Sequence, residues 1–135
     1  MFLGEFQHAL DAKGRVILPA KFRDQLEAGG FVTSEVDGCL AIWTPEEFNV
    51  RAAEMKDRGR AGSTGRDQAR AFFGGAVEAT PDRQGRIAIP QGLREFASLD
   101  RDVVVAGMFD HLEIWDAEAW RAKKRAGEAG LAGGA

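Results

Sequence analysis

The sequence is short of cysteine and histidine, and it has no long apolar run. A single cysteine, Cys39, allows no internal disulfide, which fits a reducing compartment. The two histidines, His8 and His111, have no cysteine or carboxylate partners at the spacing of a zinc site, so no metal site is expected. No window approaches the roughly 18 uninterrupted apolar residues of a membrane-spanning helix.

The chain also lacks an excess of positive charge. Its formal net charge of −3 excludes a protein that is basic over its whole surface. It leaves nucleic-acid binding open, because a local basic patch is sufficient for that. With 44% hydrophobic and 29% charged residues in 135, the composition is typical of a folded domain, or of two small halves that share a core.

The most informative feature of the sequence is a motif that occurs twice. Residues 11–23 read DAKGRVILPAKFR, and residues 82–94 read DRQGRIAIPQGLR. Both copies have an Asp, a Gly, an Arg, an apolar run, a Pro and a final Arg in the same positions. A repeated segment of this kind indicates that one supersecondary unit is used twice.

Each unit is predicted to contain a hairpin, a short helix, a second hairpin and a longer helix. In the first unit, residues 5–10 alternate in polarity as a half-buried strand does, residues 11–14 form a turn, and residues 15–18 form the return strand. The Asp37-Gly38 pair predicts the second hairpin, and Thr44 begins a capped helix that ends near residue 56. In the second unit, Asp116 is predicted to cap the last helix. Residues 57–65, rich in Gly and Arg, are predicted to be a mobile linker, with a supporting role on DNA phosphates as the alternative.

Short strands with frequent turns predict an α+β fold that is mainly β. Neither hairpin of a unit is large enough to bury both of its faces. Interleaving the two units would close a small β-barrel with few free edges, flanked by short helices.

The residues around both motifs resemble the MraZ family of bacterial transcriptional regulators. The resemblance is carried by residues 4–6, 10–15 and 19–23 in the first copy and by residues 72–76 and 82–90 in the second. Two Asp-x-x-Gly-Arg motifs, each followed by an apolar-Pro step, are a more specific signal than one. The resemblance covers nearly the whole chain apart from the linker and the C-terminal tail.

The resemblance implies tandem swapped-hairpin repeats of the SpoVT-AbrB type. The first repeat would span residues 5–47 and the second 76–119, separated by a helix, linker and helix at 48–75 and followed by a helix end and flexible tail at 120–135. It further implies a cytoplasmic, nucleoid-associated repressor of its own cell-division and cell-wall operon. Such a protein would bind short promoter repeats in double-stranded DNA as a ring-shaped homo-oligomer, without a cofactor and without enzymatic activity.

Two arginines are the first candidates for DNA contact. Arg15 and Arg86 each follow a turn glycine at the start of a return strand. A β-hairpin can enter the major groove, where an arginine can bind O6 and N7 of guanine with two hydrogen bonds. The alternative is that each arginine pairs with the aspartate four positions earlier, Asp11 or Asp82, and braces the turn.

The remaining candidates lie near the same two turns. Three further basic residues are predicted to contact phosphates: Lys13, Lys21 and Arg23. Arg83 is a further candidate for contact with DNA. The turns themselves are predicted to be formed by Asp11, Gly14, Asp82 and Gly85. Because the second copy has Gln84 and Gly92 where the first has Lys13 and Lys21, the first copy is expected to be the stronger DNA reader.

Two other classes of function stay open at this point. One is an oligomeric protein-interaction scaffold whose affinity for DNA is incidental. The other is a small barrel enzyme that uses Asp11 and Asp82 as a pair of carboxylates. Aspartates in Gly-containing turns beside an arginine suit an ion pair better than a raised pKa, which disfavours the enzyme.

Overall fold

The computed structural model of the chain describes residues 1–134, and it has an α+β fold. Within these residues, eight β-strands, five α-helices and two short 3-10 helices follow one another. The strands are β1 (Glu5–Ala9), β2 (Arg15–Ile17), β3 (Gly30–Ser34), β4 (Leu40–Trp43), β5 (Val77–Ala79), β6 (Arg86–Ala88), β7 (Asp102–Gly107) and β8 (Leu112–Asp116). The α-helices are α1 (Ala20–Arg23), α2 (Pro45–Gly59), α3 (Ser63–Gly75), α4 (Gln91–Phe96) and α5 (Ala117–Leu131).

Six of the strands form one open antiparallel sheet. Its order is β1-β7-β8-β4-β3-β5, so that β1 and β5 lie at its two edges. The other two strands, β2 and β6, pair only with each other. The expected closed barrel is therefore not confirmed, because the strands that would close it form a separate two-stranded ribbon.

Strands from the two halves of the chain pair with one another. The first strand, β1, pairs with β7 of the second half, and β5 of the second half pairs with β3 of the first. The ribbon likewise joins β2 to β6. The predicted local hairpins on either side of residues 11–14 and 82–85 are thus wrong in their pairing, although both turns form. Strands of three residues, such as β2 and β6, gain little stability from pairing with a short strand of their own half. Pairing across the halves lets each of them bury one face in a shared core.

One hydrophobic core holds the ribbon against the large sheet. Val16 of β2 and Ile87 of β6 are fully buried. They belong to the same cluster as the inward-facing residues of the sheet and of the two short helices: Phe22, Leu26, Val32, Leu40, Ile42, Leu93, Val103, Val105, Leu112 and Ile114. One face of the ribbon is therefore packed against the hydrophobic core.

The predicted linker is helical along most of its length. Helix α2 continues to Gly59 and α3 begins at Ser63, so residues 60–62 are all that connects them. The glycines in this stretch allow the two helices to approach each other closely. A Cβ at Gly65 would lie 2.0 Å from the carbonyl oxygen of Arg58, and one at Gly59 would lie 3.1 Å from Cβ of Ala69. The glycine-rich composition here reflects close helix packing, which a sequence pattern cannot distinguish from a flexible loop.

The C-terminal helix is longer than expected. Asp116 caps α5 by accepting a hydrogen bond from the backbone N–H of Ala119 (3.0 Å), as the sequence predicted. The helix runs on to Leu131, through most of the tail that was predicted to be flexible, while Ala135 lies outside the described residues. Trp120 anchors α5 to β1 by donating to Oε2 of Glu5 (2.9 Å). Within residues 1–134, no helix combines the length and apolar character needed to cross a membrane.

Candidate nucleic-acid interface

The two candidate arginines lie on the same face of the β2–β6 ribbon. The register pairs Arg15 with Ala88, Val16 with Ile87 and Ile17 with Arg86. Because side chains alternate along a strand, the central pair points into the core and the two outer pairs point to solvent. Arg15 and Arg86 are diagonal neighbours on that outer face, where Cα atoms are typically about 7–8 Å apart. We call β2, β6 and the turns at residues 11–14 and 82–85 the arginine ribbon.

Each turn of the arginine ribbon is closed by an aspartate and a glycine. Oδ1 of Asp11 accepts hydrogen bonds from the backbone N–H groups of Lys13 and Arg15, both at 2.9 Å. Gly14 has φ 74°, in the left-handed region that glycine adopts without strain. The second turn repeats this geometry around Asp82, whose Oδ1 accepts from Gln84 and Arg86, and Gly85 has φ 78°.

Each arginine of the ribbon is also paired with its turn aspartate. Nε of Arg15 donates to Oδ2 of Asp11 at 2.7 Å, and Nε of Arg86 donates to Oδ2 of Asp82 at 2.8 Å. Among residues 1–134, no hydrogen bond is made by the terminal Nη1 and Nη2 groups of either arginine. Bracing of the turn and contact with a base are therefore compatible, because the ion pair uses Nε and leaves both Nη groups available.

The carboxylates of both turns are held in their charged form. The pKa of Asp11 is lowered, chiefly by the backbone N–H of Arg15, with further contributions from the Arg15 side chain and the N–H of Lys13. The pKa of Asp82 is lowered in the same way by Arg86 and Gln84. A general acid needs the opposite shift, so this geometry does not favour the enzyme hypothesis.

We expect these backbone hydrogen bonds and ion pairs to make the stability of the turns depend on pH. Because the folded-state pKa of each aspartate lies below its ordinary value of 3.8, the stabilisation is complete above that value and is lost as the pH falls through the lowered folded-state pKa. Asp11→Asn and Asp82→Asn should therefore unfold at lower temperature than the wild type at pH 7. The difference should close toward pH 2 in circular dichroism melts.

Asp67→Asn serves as the control for these melts, because in the described residues that side chain bonds only to the exposed Arg70. If the difference in melting temperature between the wild type and Asp11→Asn stays the same from pH 7 to pH 2, the expected pH dependence is contradicted.

The four further basic candidates, Lys13, Lys21, Arg23 and Arg83, do not share one environment. Lys13 and Arg83 lie on the two turns, are exposed, and form no ion pair within the described part of the chain. Lys21 lies on α1, where its Nζ is 4.8 Å from the ring centre of Phe6. Arg23 is half-buried, and its Nε donates to the carbonyl of Leu18 at 2.8 Å. The structure thus brings the turn residues together with the ribbon arginines, and it turns Lys21 toward aromatic rings.

One residue at this site was missed by the sequence analysis. Arg94, on α4, lies against Gly14 of the first turn, and its Nη1 donates to the carbonyl of Ile89 at 2.8 Å. Its position was available in the repeat, because Arg94 is the final arginine of the second motif and Arg23 is that of the first.

The net charge of the arginine ribbon is modest. Its two turns and strands carry four basic residues, Lys13, Arg15, Arg83 and Arg86, against the two aspartates. The excess is therefore two positive charges on one chain. Within residues 1–134, no group of histidine, cysteine and carboxylate side chains is arranged to hold a metal ion. His111 instead stacks on Trp43, with ring centres 4.2 Å apart.

Comparison with known proteins gives a consistent result. Residues 1–70 and 72–130 match the family described as "MraZ protein, putative antitoxin-like". A protein of Clavibacter michiganensis subsp. michiganensis, named transcriptional regulator MraZ, is 46% identical over 132 residues, which is 98% of this chain and 92% of that protein. Proteins of the same name from a Nocardioides species and from Acetivibrio thermocellus are 47% and 43% identical over 120 residues, 89% of this chain and 83% and 84% of theirs.

Proposed function

Since the chain belongs to the MraZ family, we propose that it is a sequence-specific, DNA-binding transcriptional regulator that reads DNA through the arginine ribbon. The observation that carries this proposal is the pair of arginines on the exposed face of a two-stranded ribbon. Each is oriented through Nε by an aspartate and has both Nη groups unpaired within the described chain.

The dimensions and chemistry of the ribbon suit the major groove. A two-stranded β-ribbon fits a groove about 12 Å wide, and arginine binds O6 and N7 of guanine in a bidentate manner. The Nε–carboxylate bond restricts the side chain before DNA arrives, so less conformational entropy is lost on binding. Lys13 and Arg83, which are exposed on the two turns, would contact the phosphates on either side of the groove.

An excess of two positive charges supports only weak binding by one chain, so the proposal includes assembly. Several copies on adjacent promoter repeats would combine weak contacts through effective concentration, with gains on the order of 10²–10⁴. By family resemblance, the assembly is a ring that represses its own cell-division and cell-wall operon in the cytoplasm, at the nucleoid.

Two exposed apolar surfaces support assembly through a head-to-tail contact. The first is formed by the loop after β7 and the N-terminal residues bridged to it, with Met1, Leu3, Met108 and Phe109 all exposed. The second is a groove of about 310 Å³ beside the β3–β4 turn. Its apolar lining combines the exposed Val36 and Phe96 with the buried Met55 and Phe72, and polar residues such as Arg51 and Arg58 line the rest.

The register of β4 with β8 puts these two surfaces at opposite ends of the strands. Ile42 pairs with Leu112 beside the loop, whereas Leu40 pairs with Ile114 toward the β3–β4 turn. A contact between unlike surfaces at opposite ends of one subunit generates a ring when the rotation closes.

We expect Phe109→Gly to abolish assembly without loss of fold. Phe109 has φ 68° and is 64% exposed, so glycine removes both an apolar contact and backbone strain. Light scattering coupled to size exclusion should show a monomer, and promoter affinity should fall at least about tenfold through lost avidity. Ser98→Gly is the control, because Ser98 also has a positive φ of 54° but is polar. A monomeric variant that keeps full promoter affinity would refute the role of assembly.

The proposal is tested by fluorescence anisotropy at about 150 mM salt, where non-specific phosphate contacts are weakened. Labelled duplex from upstream of this gene is compared with a shuffled duplex of equal length and composition. We expect a preference for the native duplex of more than about tenfold, together with steep weakening as salt rises. Equal and weak binding to both duplexes would instead favour the protein-interaction scaffold.

A further inference from the structure

Arg94 of the second half lies directly on the first turn of the arginine ribbon. A Cβ built at Gly14 would be 1.6 Å from Nη1 and 2.6 Å from Cζ of Arg94. The guanidinium therefore occupies the space that any other residue would need at this position. Nη1 of Arg94 also donates to the carbonyl of Ile89, whose own N–H donates to the carbonyl of Gly14 at 2.9 Å. Arg94 is thus hydrogen-bonded to the residue that directly follows β6, and that residue is itself hydrogen-bonded to the turn that Arg94 covers.

The second turn is covered in the same way, by an arginine from the first half of the chain. A Cβ at Gly85 would be 2.1 Å from Nε and 2.3 Å from Cζ of Arg23. Nε of Arg23 donates to the carbonyl of Leu18, and the N–H of Leu18 donates to the carbonyl of Gly85, both at 2.8 Å. Each turn is therefore covered by the arginine of the other half.

We propose that Arg94 and Arg23 are positioning residues, each of which holds the turn that carries the DNA-reading arginine of the opposite half. Arg94 would set the turn before Arg15, and Arg23 the turn before Arg86. This inference rests on the proposed function of the ribbon, and it replaces the expectation that Arg23 contacts phosphate.

The geometry favours positioning over direct contact with DNA. Both arginines are half-buried and donate to a backbone carbonyl, whereas Lys13 and Arg83 are exposed on the turns. A glycine in the left-handed region is free to move when nothing covers it. Gly14 is bonded directly to Arg15 in the chain, so a shift of the turn moves the base-reading side chain.

The test uses the full-length chain with Arg94→Ala and Arg94→Lys, measured by anisotropy against the native and shuffled duplexes at several salt concentrations. For Arg94→Ala we expect the preference for the native duplex to fall at least about fivefold while the slope of log K against log salt stays unchanged, because no phosphate contact is lost. Arg94→Lys should not restore the preference, since an ammonium lacks the planar group that covers Gly14.

Three results would overturn the inference and leave the proposed function standing. Full restoration by Arg94→Lys would mean that only the charge matters. A fall in the salt slope of about 0.9 per protomer would make Arg94 a phosphate contact. If the wild type prefers the native duplex and Arg94→Ala keeps that preference, Arg94 has no positioning role, but the proposed function of the ribbon is unaffected. A wild type without any preference would instead overturn the proposed function, and the positioning role with it.

A double-mutant cycle gives a readout that needs no DNA. Gly14→Ala is compared with Gly38→Ala, which has a similar φ of 81° but nothing within 4 Å of its Cβ. Gly14→Ala should lower the melting temperature more than Gly38→Ala, and this extra loss should vanish in the Arg94→Ala background. Additive effects would contradict the contact. If Arg94→Ala does not fold, Gly14→Ala takes its place in the DNA measurement, where the preference should fall in the same way.

Discussion

Replacing Arg15 with alanine is expected to remove most of the preference for the native promoter duplex. A bidentate contact between arginine and guanine contributes about 1–3 kcal/mol of discrimination. The loss should therefore lie between about 5-fold and 150-fold for each ribbon that engages a site. Binding to the shuffled duplex should change much less, because the phosphate contacts of the turns remain. The measurement is fluorescence anisotropy with both duplexes at the same salt concentration.

Arg70→Ala is the matched control for this experiment. Arg70 also pairs with an aspartate, Asp67, but through Nη1 at 3.1 Å. It carries the same charge as Arg15, lies on α3 and is 73% exposed. Its replacement should leave the preference unchanged. An equal effect of the two substitutions would mean that net charge, and not base contact, governs binding.

Arg86→Ala should resemble Arg15→Ala within about threefold. Both arginines have the same aspartate partner, the same turn and equivalent places in the ribbon register. This revises the expectation that the second motif contributes less, which relied in part on Lys21. A much smaller effect of Arg86→Ala would restore the original expectation.

Replacing Ile87 with alanine is expected to give the largest loss of stability among the ribbon variants. Ile87 is fully buried between the ribbon and the large sheet. Truncation of a buried isoleucine typically costs about 2–5 kcal/mol, partly through transfer and partly through the cavity that remains. Urea unfolding at equal protomer concentration, followed by circular dichroism, measures this cost without changing any charge.

Ile17→Ala is the control on the same ribbon. Ile17 is in the strand beside Ile87 but faces outward and is 37% exposed. Its truncation should cost well under about 1 kcal/mol of unfolding free energy. Ile87→Val should fall between the two, at about 0.5–1.5 kcal/mol, and should keep its preference for the native duplex. If Ile87→Ala and Ile17→Ala lower the free energy of unfolding by similar amounts, the ribbon does not pack against the core as described.

The parts of this protein that sequence alone determined are those governed by neighbouring residues. The β3–β4 turn at residues 36–38 and the caps at Thr44 and Asp116 are confirmed. Each depends on the φ preference of glycine or on a side-chain oxygen reaching a backbone N–H within four residues. The α+β class follows from the alternation of short strand and helix signals.

Tertiary structure alone decided which strands pair and what covers the turns. The exchange of β1 and β5 between the halves depends on burial in a shared core, which no local pattern encodes. The glycines of residues 57–65 indicate a loop until the close approach of α2 and α3 is known. Arg94 reaches Gly14 from 80 positions along the chain, so only the folded chain brings the two together. Local chemistry determined the shape of each turn, and long-range packing determined which arginines lie beside it.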